Sequence, residues 1–117
     1  MRRELIEGLF AHAEKIRSEW DAKRHDSDPW EEVETVTPCS ETTAVIVIRK
    51  ASGMRVVILA FWIKAQGGRW SHFFPTYEHL YGLKNNKIYE TMNEVEEKNA
   101  EIRRRDWQDR PNLTVIQ

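Results

Sequence analysis

The side chains best suited to chemistry in this chain are four histidines, His12, His25, His72 and His79, and one cysteine, Cys39. Zinc sites show in a sequence as ligands a few positions apart, such as Cys-x2-Cys or His-x3-His, because neighbouring ligands on one element share the cost of ordering. No two of these five residues stand that close. The acidic stretch Asp26, Asp28, Glu31, Glu32, Glu34 offers oxygen ligands but lacks the glycine and closing glutamate of a calcium loop. Cys39 lies between Pro38 and Ser40 with no nucleophile signature, and no Gly-x-Ser-x-Gly is present. Gly67-Gly68 precedes a strand-like run and not a helix, so it reads as a turn and not as a phosphate cradle. No metal, cofactor or catalytic residue is expected, and the expectation is a non-enzymatic protein.

The stronger signal is charge combined with aromatic rings. Residues 1–40 carry six basic and ten acidic side chains, residues 41–88 seven and two, and residues 89–117 five and seven, so a net charge of −1 conceals +5 in the middle block. That block contains Trp62, Lys64, Arg69 and Phe73. A two-residue Gly67-Gly68 hairpin would set Trp62 opposite Phe73, Lys64 opposite Ser71 and Gln66 opposite Arg69, all on one face by strand alternation. Two cations beside two large rings suit a partner whose bases stack while its phosphates are neutralised. Trp62, Lys64, Arg69 and Phe73 are therefore the candidate ligand-binding residues, for single-stranded nucleic acid, a nucleotide or another polyanion. The competing structural reading makes Trp62 and Phe73 core residues, with Lys64 and Arg69 keeping an edge soluble.

Those residues must be positioned by a small set of elements. Leu5, Ile6, Leu9, Phe10, Ala13, Ile16 and Trp20 recur at helical spacing, which predicts a helix from Glu4 to about Ala22 with its apolar stripe on a sheet. Arg24 to Pro29 reads as a loop. Glu31–Thr37 alternates imperfectly and predicts a weak edge strand. Thr42–Lys50 and Met54–Lys64 are β-branched and apolar on both parities, as strands covered on both faces must be. With Ala51-Ser52-Gly53 and Gly67-Gly68 as turns, and Arg69–Phe74 as a further strand, the sheet reads as an antiparallel meander of three to four strands. Thr76 is a candidate cap for a short turn through Leu80. Beyond Asn85-Asn86 a second helix carries Ile88, Met92, Val95, Asn99 and Ile102 as a seam, closed by Arg103–Arg105 at its C-terminal end. Asn112–Gln117 has the composition to add a short final edge strand. The fold class expected is α+β, one domain spanning 1–117.

The order helix, three strands, helix, possible strand resembles the core of the restriction-endonuclease-like nucleases, with Trp62-Ile63-Lys64-Ala65 at the place of that family's Glu-x-Lys motif. Lys64 matches the lysine, but Trp62 stands where the metal-binding carboxylate belongs and Thr43-Ala44 where an aspartate does. Without those carboxylates to hold a cation, phosphodiester cleavage is not expected. At 117 residues the chain can build a core without disulfides, and a lone cysteine together with the absence of an export-like apolar start points to the cytoplasm. The longest apolar run, Val56–Ile63, falls far short of the roughly 18–20 residues of a membrane helix, so no membrane partner is expected. A second functional reading is a protein-interaction or assembly module, a homo-oligomer included, docking through the C-terminal helix seam, in which Asn99 is the one polar residue, or through an open sheet edge.

Overall fold

The computed structural model describes residues 3–24, 28–76 and 87–108. Helix α1 (Arg3–Arg24) is followed by strands β1 (Trp30–Pro38), β2 (Thr43–Lys50), β3 (Arg55–Ile63) and β4 (Arg69–Phe73), and by helix α2 (Lys87–Gln108). The four strands form one antiparallel sheet in the order β1-β2-β3-β4. The expected α+β meander between two helices is what the chain adopts. The turn expected from Thr76 to Leu80, past Thr76 itself, and the final strand at Asn112–Gln117 lie outside the described residues. No described helix is long and apolar enough to cross a membrane.

Strands apolar on both parities dictate the layers. In β2 the run Ala44, Val45, Ile46, Val47, Ile48 is buried throughout, with alternate side chains directed to opposite faces. Ala44, Ile46, Ile48, Ile58, Ala60 and Trp70 meet Leu9, Ala13 and Ile16 of α1 on one face. Val45, Val47 and Leu59 meet Ile88 and Val95 of α2 on the other. The α2 stripe is the one its sequence period foretold; in α1 Leu9, Ala13 and Ile16 are buried as expected, but Phe10, read as part of the same stripe, lies just outside the buried arc and is exposed.

The β2–β3 connection is a three-residue turn in which Gly53, at φ 94°, donates its N–H to Lys50 C=O at 2.9 Å while Lys50 N–H donates to Met54 C=O at 2.8 Å. Glycine takes this left-handed position without the steric cost of a Cβ. Asp28 ties the turn to the chain ahead of β1, accepting Ser52 N–H at 2.8 Å and Ser52 Oγ–H at 2.7 Å.

The seam of α2 is spent on the sheet, and Asn99 has a specific internal partner. The Lys50–Met54 bond leaves the N–H and C=O of Arg55 pointing away from β2, and β4 pairs with β3 only from Leu59 to Ile63. Asn99 fills the gap: its Oδ1 accepts Arg55 N–H at 2.8 Å and its Nδ2 donates to Arg55 C=O at 2.9 Å. A side-chain amide thus does there what a neighbouring strand would do. The expectation that the seam and Asn99 face another chain is corrected accordingly.

Two stability predictions follow from this packing. Leu9 is fully buried in the α1 layer, so Leu9→Ala should cost about 2–5 kcal/mol in denaturant unfolding, and a loss below about 0.5 kcal/mol would mean that α1 stands off the core. Asn99→Leu should destabilise by roughly 1–3 kcal/mol, because it strands two backbone groups of Arg55. Stabilisation by that substitution would contradict the strand-replacing role.

Candidate functional site

The register of the β3–β4 hairpin decides which candidate residues share a surface. Trp62 pairs with Trp70, Phe61 with Ser71 and Leu59 with Phe73. The strands are joined through Lys64 to Gly68, which include a 3-10 turn at Ala65–Gly67, and not by Gly67-Gly68 alone. The register is therefore three residues away from that of a two-residue hairpin. A slip by an odd number reverses every face relation between two strands. Trp62 and Trp70 stand on the α1 face, whereas Phe73 stands on the α2 face, tilted against Phe61 with ring centroids 5.9 Å apart. The expectation of one face carrying Trp62, Lys64, Arg69 and Phe73 is corrected: Phe73 packs in the α2 core layer, and Arg69, paired with Ile63 and two alternations before Phe73 in β4, no longer shares the face of Trp62 by strand alternation.

Lys64, just past β3, and Arg69, the first residue of β4, nonetheless each border a depression that Trp62 also lines. Gly67 and Gly68 take φ of 88° and 92°, and a Cβ placed on Gly68 would lie 2.3 Å from the Trp62 ring. The ring therefore lies against the Gly68 backbone, and its other neighbour is Trp70, edge-on with centroids 5.5 Å apart. The Trp70 indole N–H donates to Leu5 C=O at 3.1 Å, pinning the start of α1 to β4. Trp62 forms the shared wall of two shallow depressions. One is lined by Glu4, Leu5, Glu41, Thr42 and Lys64. The other runs between α1 and β4, lined by Gly8, Ala11, His12, Lys15, Arg69 and Trp70. Small Gly8 and Ala11 leave this second groove open, and its charged side chains are both cations.

The charge asymmetry read along the chain is partly cancelled in space. Acidic β1 lies beside the basic strands: Arg49 meets Glu32 at 2.7 Å and Glu31 at 3.4 Å, and Arg55 clasps Glu34 with two bonds of 2.6 and 2.9 Å. Glu34 is the extra residue of a bulge between Val33 and Thr35, and the Arg55 guanidinium holds its carboxyl below the usual range. Lys87 pairs with Glu90 at 3.7 Å. Among the described residues Lys64 and Arg69 form no ion pair, and Lys15 has only a 4.0 Å contact with Glu19. What survives of the +5 block at this surface is Lys64 and Arg69, joined by Lys15 from the helix.

Compared with known proteins, the chain matches no family model, no curated protein and no solved structure. The site has to be understood from its own geometry.

One pair at this surface escaped sequence reasoning. His12 Nε2 and His72 Nδ1, sixty positions apart, lie 3.1 Å from each other across the α1–β4 joint. Their rings meet edge to face at 5.1 Å, and His72 continues into Phe74, Trp20 and Trp30 through further edge contacts. The only signal available in sequence was that His12 lies at the edge of the α1 stripe and His72 on an alternating strand. Which residues of the strand faced the helix depended on the register. Among the described residues no three His, Cys, Asp or Glu side chains cluster to hold a metal. Burial pushes both imidazoles below the ordinary value of 6.5; for His12 the neighbouring His72 and Lys15 add to the effect, while Glu19 opposes it at both rings. Cys39 is partly buried, and burial raises its thiol above the ordinary value.

A group whose folded pKa is depressed in this way resists protons that the unfolded chain accepts. The stability contributed by the neutral pair is present above about pH 6.5 and is lost as pH falls below it. The melting temperature should therefore fall between pH 7 and 5, and fall less in His12→Gln than in the parent protein. An identical pH dependence in both would show that the pair does not titrate as this geometry requires.

Proposed function

We propose that the protein is a non-catalytic binder of an anionic, ring-bearing ligand, single-stranded nucleic acid or a nucleotide, at the surface centred on Trp62. The observation that carries this reading is the placing of one partly exposed indole between Lys64 on one side and Arg69 with Lys15 on the other, the first two without ion-pair partners among the described residues. Stacking on an indole is tolerant of base identity, and cations at its flanks neutralise phosphates. Glu4 and Glu41 line the Lys64 side, so the groove between α1 and β4 is the more favourable seat for phosphate.

Assembly through α2 or through the β1 edge has less support. The α2 seam covers the sheet, and β1 is an edge strand broken by two register shifts and lined with Glu31, Glu32 and Glu34, features that discourage strand addition.

Binding of fluorescent single-stranded oligonucleotides across a range of salt tests the proposal. Affinity should fall steeply with salt, and Arg69→Ala should lower the salt dependence by about one unit of slope. Trp62→Ala should cost roughly 1–3 kcal/mol of binding with the slope unchanged, because stacking releases no counterions. Phe73→Ala, on the far face, should leave both unchanged in folded protein. No binding at low salt by the folded parent protein would remove the proposal.

A further inference from the structure

The His12–His72 pair has a geometry that a hydrogen bond alone does not exhaust. Two nitrogens each about 2.0–2.1 Å from one tetrahedral ion stand roughly 3.3–3.4 Å apart. The 3.1 Å between His12 Nε2 and His72 Nδ1 is close to that separation, so the nitrogens need little translation, and turning each ring by roughly 35–40° would aim both lone pairs at one point. The two ligands come from a helix and a strand locked together by the Trp70 bond to Leu5 and by the packing of Leu9 and Ala13, so little ordering remains to be done on binding. His12 also lines the open groove, which gives an ion a way in and leaves room for further ligands.

From this geometry we infer that His12 and His72 form a two-imidazole site for a borderline divalent transition ion, Zn2+ or Cu2+, at the joint between α1 and β4. Imidazole nitrogen suits these ions, and Mg2+ or Ca2+, which take oxygen ligands, should not compete. Whichever ring donates the present hydrogen bond moves that proton to its outer nitrogen, Nδ1 of His12 or Nε2 of His72. Both facing nitrogens are then free, and the neutral pair loses no net proton. Burial favours the neutral ligand form of both rings near pH 7. Of the charged groups around them, Lys15 and Arg69 oppose a cation, whereas Glu19, whose field reaches both rings, favours it. Water fills the remaining positions of the ion. The inference stands apart from the proposed nucleic-acid binding, since its probe is the metal alone.

The test is titration of metal-free full-length protein with ZnCl2 by calorimetry at pH 7.5, alongside melting curves. One equivalent should bind and raise the melting temperature, and the rise should vanish in His12→Gln and in His72→Gln, each checked for folding by circular dichroism. Binding should weaken at least tenfold at pH 5.5, where protons compete for the ligands. With CuSO4, electron paramagnetic resonance should show hyperfine structure from two imidazole nitrogens. If a variant fails to fold, selective Cu2+ broadening of the His12 and His72 ring resonances in the parent protein serves in its place. The inference is overturned if Zn2+ and Cu2+ do not bind saturably. Binding that persists unchanged in both folded variants, or broadening confined to His25 and His79, overturns it as well.

Discussion

The molecule is organised by one constraint: its two central strands are apolar on both faces. The run Ala44 to Ile48 is buried side chain by side chain, and no single helix can cover two sides of a sheet. Exposing either layer would leave several Val and Ile side chains in water, each worth about 1.5–3 kcal/mol when buried. The chain therefore brackets its strands with helices, α1 on the side of Ile46 and Ile58 and α2 on the side of Val45 and Val47. The groove between α1 and β4 arises from this arrangement, because a helix laid on a sheet near a short edge strand leaves a furrow beside it.

Much of this was legible in the amino-acid sequence because it rests on periodicity. The spacing of Leu9, Ala13 and Ile16 identifies a helix and its buried stripe, and the β-branched runs identify β2 and β3, with boundaries within two residues of those observed. The candidate site was less legible because it depended on a turn. Gly67-Gly68 reads as a tight hairpin, but the chain uses the two left-handed glycines to end and leave a 3-10 turn, and Gly68 makes room for the Trp62 indole. Three residues of register moved Phe73 to the far side of the sheet and brought Trp70 and His72 to the near side. No local propensity reports that choice; it is set by how Trp62 and Trp70 pack against the start of α1.

Net charge by segment misled in a related way. The basic middle of the chain and its acidic flank look like separate regions in sequence, yet β1 lies beside β2, and the pairs Glu32–Arg49 and Glu34–Arg55 neutralise most of what β2 and β3 contribute. Asn99 was likewise misread, since a polar residue in an apolar seam suggests a partner helix until Arg55 is seen to present unpaired backbone groups to it. In each case the decisive neighbour is remote in sequence. The candidate surface around Trp62 differs from the one the sequence implied, with Lys15 and His12 of α1 lining it and Phe73 on the far face.

The central claim is that ligand engages the α1 side of the sheet around Trp62 and not the α2 side around Phe73. Chemical-shift mapping by NMR, with a short single-stranded oligonucleotide added at low salt, separates the two directly. The Trp62 indole N–H and the amides of Gly8, Ala11, Lys15 and Arg69 should shift progressively, while Phe61, Phe73 and Val95 remain still. Shifts centred on Phe61 and Phe73, or none anywhere on the sheet, would contradict the account.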